Sequence, residues 1–247
     1  MPSMIFISNT NEIQGTQNNL PALSSQSLNH LLSKIWKTPM TATSHPSASS
    51  LKTLREEAAN CRACPLWKDA TQTVFGEGPQ RAQIMLVGEQ PGDKEDLAGK
   101  PFVGPAGQML DRALEEAGIE RSKVYVTNAV KHFKFLARGK FRLHQKPNTS
   151  EIRACRQWYE RELSSIKPVL VVAMGATAAQ SVFGKTTPIN KNRGRLIDLE
   201  DGTKALVTVH PSYLLRLPDA QAKAQEYERF VDDLKIAAEL LHKKRAA

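Results

Sequence analysis

The sequence predicts an α/β fold of three layers, α/β/α, around a central, mainly parallel four-stranded sheet. Two observations lead there. Four short apolar runs, at residues 84–87, 124–126, 169–174 and 205–209, end in glycine or polar residues, as buried strands do. Segments with helical apolar spacing separate and follow them, and strands alternating with helices select parallel crossover units.

In chain order, residues 1–50 are rich in Ser, Thr, Asn, Gln and Pro and predict a disordered or poorly structured extension, with one short amphipathic helix at 28–36. The compact domain is expected over 51–247. Residues 51–59 have helical spacing and lead into Cys61 and Cys64. Residues 73–78 form a turn-bounded segment before the first strand. That strand, 84–87, closes on Gly88 and runs into Glu89-Gln90-Pro91-Gly92-Asp93. Residues 105–117 carry Met109, Leu110, Ala113 and Leu114 at helical spacing and stop at Gly118. The second strand ends in Thr127-Asn128-Ala129-Val130, and a loop then precedes a helix at about 150–166. The third strand, 169–174, closes on Gly175 and enters a helix at 176–183. The fourth ends in His210-Pro211-Ser212. Over 220–242, Phe230, Val231, Leu234, Ala237, Leu240 and Leu241 share one helical face, a core-packing stripe.

At 247 residues the chain has ample core for one such domain, and its formal net charge of +9 favours a polyanionic partner. No apolar run approaches the roughly 20 residues of a spanning helix. Met4-Ile5-Phe6-Ile7 is too short for a signal core and lacks a basic flank. A soluble, cytoplasmic protein, monomeric by default, is expected. The cysteine number, three, argues against a disulfide framework.

If the strands are parallel, their carboxyl ends bring Glu89 and Gln90, Asn128, Gly175-Ala176-Thr177, and His210 with Ser212 to one rim, where open α/β sheets bind ligands. A carboxylate, two amides and an imidazole suit the reading of a small heterocycle and acid/base or electrostatic chemistry on it. Residues 131–147 hold six Lys or Arg, no acid and three phenylalanines. A cationic loop with aromatics suits a phosphate backbone plus a stacked base, the alternative being a solvated loop whose aromatics turn inward. His144 follows Arg142 in this loop, which can fold over the strand ends so that Glu89 orients the imidazole. Cys61 and Cys64 form a C-x-x-C pair ahead of the first strand, which weakens a thioredoxin-like reading. With Cys155 and His132 they could make a four-ligand site. Zinc and an iron–sulfur cluster both fit that donor set, and buried structural thiols remain the alternative.

Together these residues resemble the uracil-DNA glycosylase superfamily, its family 4 branch and within that the UdgX type. The resemblance runs from Cys61 to about Arg216 and rests on Gly88-Glu89-Gln90-Pro91-Gly92, Gly99-Lys100-Pro101-Phe102-Val103-Gly104, Asn128-Ala129-Val130-Lys131-His132-Phe133, Gly175-Ala176-Thr177 and His210-Pro211-Ser212-Tyr213-Leu214-Leu215-Arg216, with the three cysteines. Gln90 in place of the alanine of ordinary family 4 members, and His132 in place of their cysteine, point to the UdgX type. So does the basic loop ending in His144. That loop reads Lys140-Phe141-Arg142-Leu143-His144, where UdgX has Lys-Arg-Arg-Ile-His, so Phe141 departs from the pattern.

The resemblance implies a uracil-DNA glycosylase-like fold and a 4Fe–4S cluster on Cys61, Cys64, His132 and Cys155, with a structural role. It implies that Phe102 stacks on an extruded uracil, that Asn128 reads its edge, that His210 faces its O2, and that Glu89 and His144 flank the sugar, with Gln90 in the catalytic group. Asp93, Arg142, Ser212, Arg216, Lys131 and Lys140 are then expected to bind the DNA substrate. The expected activity is cleavage of the uracil N-glycosidic bond in DNA, single strands preferred, with capture of the sugar by His144 as a covalent adduct. A turnover family 4 glycosylase and a non-catalytic uracil-sensing module are the alternatives.

Overall fold

The computed structural model describes residues 50–246, with side chains to Lys243, all within one compact unit spanning Pro46–Ala247. The expected extension and its helix at 28–36 lie outside the described residues. The sheet has five strands in the order β2-β1-β5-β7-β6. β1 (Ile84–Gly88) pairs in parallel with β2 (Val124–Asn128) and with β5 (Leu170–Met174), and β5 pairs in parallel with β7 (Lys204–Thr208). The fifth strand, β6 (Leu196–Asp198), runs antiparallel on the edge beside β7. It was not expected, because three residues with two exposed side chains carry no apolar run to read.

Helices cover both faces, which is why β1, β2 and β5 are buried at every position and why β1 and β5 read as continuous apolar runs. One face packs Ile84, Leu86, Val126, Val172 and Leu206 against α3 (Pro105–Glu116) and α8 (Ala220–Ala246), through Leu110, Leu114, Phe230 and Leu234. The other packs Met85, Val87, Tyr125, Val171 and Ala173 against α4 (Thr149–Ile166) and α5 (Ala176–Phe183), through Tyr159, Ala178 and Val182. Alternate strand residues thus feed alternate layers. The start of α4 is fixed by a capping box, in which Asn148 accepts from the Glu151 amide and Glu151 accepts from the Asn148 amide. α1 (Leu51–Ala59) packs its Leu54 and Ala58 beside Ile152 and Trp158 of α4. The described residues also include the short helices α2 (Asp93–Ala98), α6 (Ile189–Asn192) and α7 (Pro211–Arg216). No helix among the described residues is long and apolar enough to cross a membrane.

The register sets the site. Gly88 stands beside Asn128, Val87 beside Ala173, and Met174 beside Thr208, so all four parallel strands end at one level. Above that level the basic segment forms a hairpin, where a loop was expected. β3 (Phe135–Arg138) and β4 (Phe141–His144) pair antiparallel, Phe135 with His144 and Arg138 with Phe141. Gly139, in the left-handed region at φ 58°, makes the tight turn between them.

Lys131 departs from the expected DNA contact. Its side chain is fully buried, and its ammonium donates to Glu162 Oε2 at 2.7 Å, Asn128 O at 2.9 Å and Thr127 Oγ1 at 2.5 Å. All three of its protons are engaged. Glu162 also accepts from Tyr125 Oη at 2.9 Å and the Gly76 amide at 3.2 Å. The expected DNA contact fails because the partner, a carboxylate 31 residues downstream, does not show in sequence order. Removing one member of such a pair strands a buried charge, at a cost of about 3–5 kcal/mol. Lys131→Met is expected to lose stability on that scale in guanidinium unfolding, and adding Glu162→Gln should recover part of the loss.

Candidate active site

Glu89 is the first residue beyond β1 and its carboxylate is held from two sides. Thr177, in the first turn of α5, donates its hydroxyl to Oε2 at 2.8 Å. His144, at the end of β4, places Nε2 3.4 Å from Oε1. Burial and nearby Arg216 push the His144 pKa down, while the Glu89 charge pulls it up. The imidazole also lies beside the Phe133 ring, 6.1 Å between centroids.

His210 follows β7 and caps α7. Its Nδ1 accepts from the Ser212 amide at 3.2 Å and lies 2.8 Å from Ser212 Oγ, which itself accepts from Arg216 Nη1 at 3.0 Å. An Nδ1 that receives an amide proton has none of its own, so the neutral ring carries its proton on Nε2. Burial, helped by Arg216 and His144, pushes the His210 pKa down to about 4. The ring is therefore a neutral N–H donor at neutral pH.

Phe102 stacks on His210 at 6.0 Å between centroids. It holds φ 58°, a left-handed conformation unusual for a bulky residue and the kind of local strain that collects at functional sites. Asn128 ends β2, almost wholly buried. Gly88 lets these two side chains meet: a Cβ there would fall 2.4 Å from Asn128 Oδ1 and 2.6 Å from Phe102 Cζ. Phe102, Asn128, His144, His210, Ser212 and Arg216 line a cavity of about 250 Å³. A wider groove of about 760 Å³ adjoins it, sharing His210 and Arg216 and adding Glu89. An apolar ring face, a carboxamide offering both donor and acceptor, a neutral imidazole donor and a carboxylate–imidazole pair can hold a flat heterocycle and act on a bond at its edge.

Three expected site residues hold the hairpin in place. Gln90 donates Nε2 to the Lys134 and Gln145 carbonyls, both at 3.1 Å, and accepts from the Lys134 amide at 3.3 Å. It clamps the two ends of the hairpin and also lines the cavity of about 250 Å³. Arg142 donates to Asp93 Oδ1 and to Asp96 Oδ2, both at 2.6 Å, and its guanidinium lies over Phe133 and Phe135. Arg142 and Asp93, both expected on the substrate, are thus bound to each other and latch the hairpin to α2. Their pairing was hidden because α2 itself was not predicted. Its signal was present: glycine, then an acidic turn with Glu95 at the capping-box position. Glu95 accepts from the Gly92 and Gly104 amides, at 3.1 and 2.7 Å, and so draws the Phe102 loop to the Glu89 loop. Lys140 is exposed at the hairpin turn, 5.7 Å from the Phe141 ring centroid. Thr177 was noted at a strand end without a role.

The three cysteines share one apolar pocket with Leu54, Leu66, Ile152 and Trp158. Trp158 Nε1–H donates to Cys61 Sγ and the Lys131 amide to Cys155 Sγ, both at 3.2 Å. Burial pushes Cys64 up and Cys155 up to about 12, so either thiol needs a cation or N–H donors to ionise. His132 is buried and its pKa lowered. Its Nε2 lies 2.8 Å from Thr73 Oγ1, whose one proton goes to the Ala58 carbonyl at 3.0 Å. The histidine must therefore donate there, leaving Nδ1 with the lone pair. A neutral imidazole anchored through one nitrogen, and sulfurs receiving N–H bonds, fit a sulfur-rich metal centre in chemistry. Among the described residues, no group of three or more His, Cys, Asp or Glu is gathered closely enough to grip an ion as it stands.

The His210 assignment is open to measurement. A histidine ring observed by NMR is expected to stay neutral down to mildly acid pH and to titrate near 4, well below the ordinary value of about 6.5. Because the folded value is the lower one, this ring's contribution to stability is complete above about pH 6.5 and is lost as pH falls towards 4.

Comparison with known proteins places the sequence in a family. Residues 75–235 match the model of the uracil DNA glycosylase superfamily. The type-4 uracil-DNA glycosylase of Thermotoga maritima is 38% identical over 78% of this chain and 95% of its own length. Those of Archaeoglobus fulgidus and Sulfurisphaera tokodaii are 34% and 33% identical, over 79% and 76% of this chain and 96% and 86% of their own lengths. On this sequence match the chain belongs to the uracil-DNA glycosylase superfamily.

Proposed function

We propose that this protein excises uracil from DNA and captures the resulting sugar on His144. The observation that carries the reading is the 3.4 Å approach of His144 Nε2 to Glu89 Oε1, at the mouth of a cavity lined by Asn128 and His210. Relatives named type-4 uracil-DNA glycosylases support the first half of it.

The base must leave the stack to be reached, so single-stranded DNA is the favoured substrate, having no pairing to break. Phe102 stacks on the extruded ring. The Asn128 carboxamide accepts from uracil N3–H and donates to O4; cytosine offers the reverse polarity, and an unmatched buried polar group costs about 1–3 kcal/mol. As the N1–C1′ bond breaks, its electron pair leaves with the uracil, and His210 Nε2–H donates to O2 of the developing anion. The Glu89 carboxylate, oriented by Thr177, stabilises the oxocarbenium-like sugar. Glu89 then takes the Nε2 proton of the imidazolium form of His144; the ring keeps its Nδ1 proton, and the freed Nε2 lone pair bonds to C1′, so the positive charge passes from the sugar to the ring. The clamp at Gln90 and the latch at Arg142 hold His144 over the site. Ser212 and Arg216 set the His210 tautomer at the cavity wall, and the protein acts once, as a monomer.

Cys61, Cys64, His132 and Cys155 are the residues that would hold a 4Fe–4S cluster, which would supply a structural tie between the segment before the sheet and the loop after Asn128. Purified protein is expected to carry iron and labile sulfide in equal amounts, and zinc in their place would overturn this assignment.

The adduct is read on a denaturing gel after mixing with a uracil-containing single strand. A heat- and detergent-stable shifted band is expected from the wild type. His144→Ser should lose that band and release free uracil. Abasic DNA formed with turnover by the wild type would leave excision standing and remove the capture step. Unchanged DNA would remove both.

A further inference from the structure

The hairpin has a second face that the mechanism does not use. In the antiparallel register, Phe135, Arg142 and His144 lie on one side and Leu136, Arg138, Phe141 and Leu143 on the other. The first side is occupied: Arg142 binds the α2 carboxylates, His144 meets Glu89, and Phe135 stacks on Phe133 at 5.1 Å. The second side faces solvent, although it is apolar. Phe141 is 63% exposed, Leu136 59% and Leu143 40%. Such a patch on a two-stranded ribbon marks an interaction surface.

Charge selects its occupant. Arg138 and Lys140 stand at the turn, Lys140 within 5.7 Å of the Phe141 ring, and residues 131–150 contain no acid. An exposed aromatic ring flanked by cations suits a nucleobase with its phosphate, and an unpaired base offers its ring face freely. Phe141 lies three positions before His144 on β4, about 10 Å along the strand, so the base it meets is a near neighbour of the nucleotide at His144.

We propose that this outward face binds the single-stranded DNA flanking the uracil, with one base stacked on Phe141 and adjacent phosphates beside Arg138 and Lys140. The location of the uracil rests on the preceding reading of the pocket; the stacking itself rests on the hairpin face.

The test is a binding cycle by fluorescence anisotropy on the full chain. The oligonucleotide carries a 2′-fluorinated deoxyuridine, which disfavours the oxocarbenium ion and keeps the glycosidic bond intact. In a parallel series each flanking nucleotide in turn lacks its base. The wild type is expected to lose about tenfold in affinity when the base at one flanking position is missing. Phe141→Ala should bind the complete strand about tenfold more weakly and be indifferent to the missing base at that position, and Phe141→Trp should restore both tightness and sensitivity. Phe141 is exposed, so these variants keep their fold, which an unchanged thermal midpoint verifies. Equal losses for wild type and Phe141→Ala at every position, or undiminished affinity of Phe141→Ala, would overturn the proposal. Uracil release from an unmodified strand is measured alongside. If the wild type releases none, the pocket reading falls, while the affinity of Phe141→Ala still decides the stacking.

Discussion

A guanidinium between two carboxylates decides where the hairpin lies, and the chemistry available at the strand ends depends on that. Arg142 reaches from β4 to Asp93 and to the buried Asp96, each at 2.6 Å. Arg is suited to this: its planar fork meets two acceptors at once while its faces rest on Phe133 and Phe135. Asp96 also accepts from the Thr71 amide, so the α2 end of the latch is itself fixed. With Gln90 tying the hairpin's two ends, β4 can place His144 only where Glu89 stands. A half-exposed imidazole on a free loop would have no defined position.

The two histidines at the site differ in electrical role because their partners differ. His210 is desolvated and has no carboxylate beside it, only Arg216 and His144, so its neutral form is strongly favoured. The amide of Ser212 then settles which nitrogen bears the proton. His144 is only partly desolvated and stands against Glu89, whose charge opposes the downward push of burial without reversing it. One ring is thereby set as a fixed hydrogen-bond donor and the other as a group able to exchange its proton with a neighbouring carboxylate.

Beneath the pocket, Lys131 joins three parts of the molecule. Its ammonium supports the Asn128 carbonyl and neutralises Glu162, and its amide donates to Cys155. The base-reading strand end and the cysteine pocket are therefore attached to one residue. A buried cation with every donor engaged is consistent with rigidity here, since a partly satisfied ion in this position would be costly.

By itself the sequence determined the layered α/β architecture, because strands covered on both faces must be apolar at every position, as residues 84–87 and 170–174 are. It also determined which polar groups reach the carboxyl-end rim, since Glu89, Asn128 and His210 directly follow or end strands whose parallel register aligns them. Only the tertiary structure decided what the charged residues do. Lys131 and Arg142 look alike in sequence, as cations of one basic segment, and Asp93 reads as a loop carboxylate after the first strand; the partners Glu162 and Asp96, and the pairing of Arg142 with Asp93, come from distant or unforeseen elements. Composition cannot assign such pairs, because an ionic side chain takes its role from whatever the fold places within a few ångströms of it. The division of the hairpin into an occupied face and an open one was equally out of reach. It follows from a register that the turn at Gly139 sets, and from α2, the helix that covers only one side.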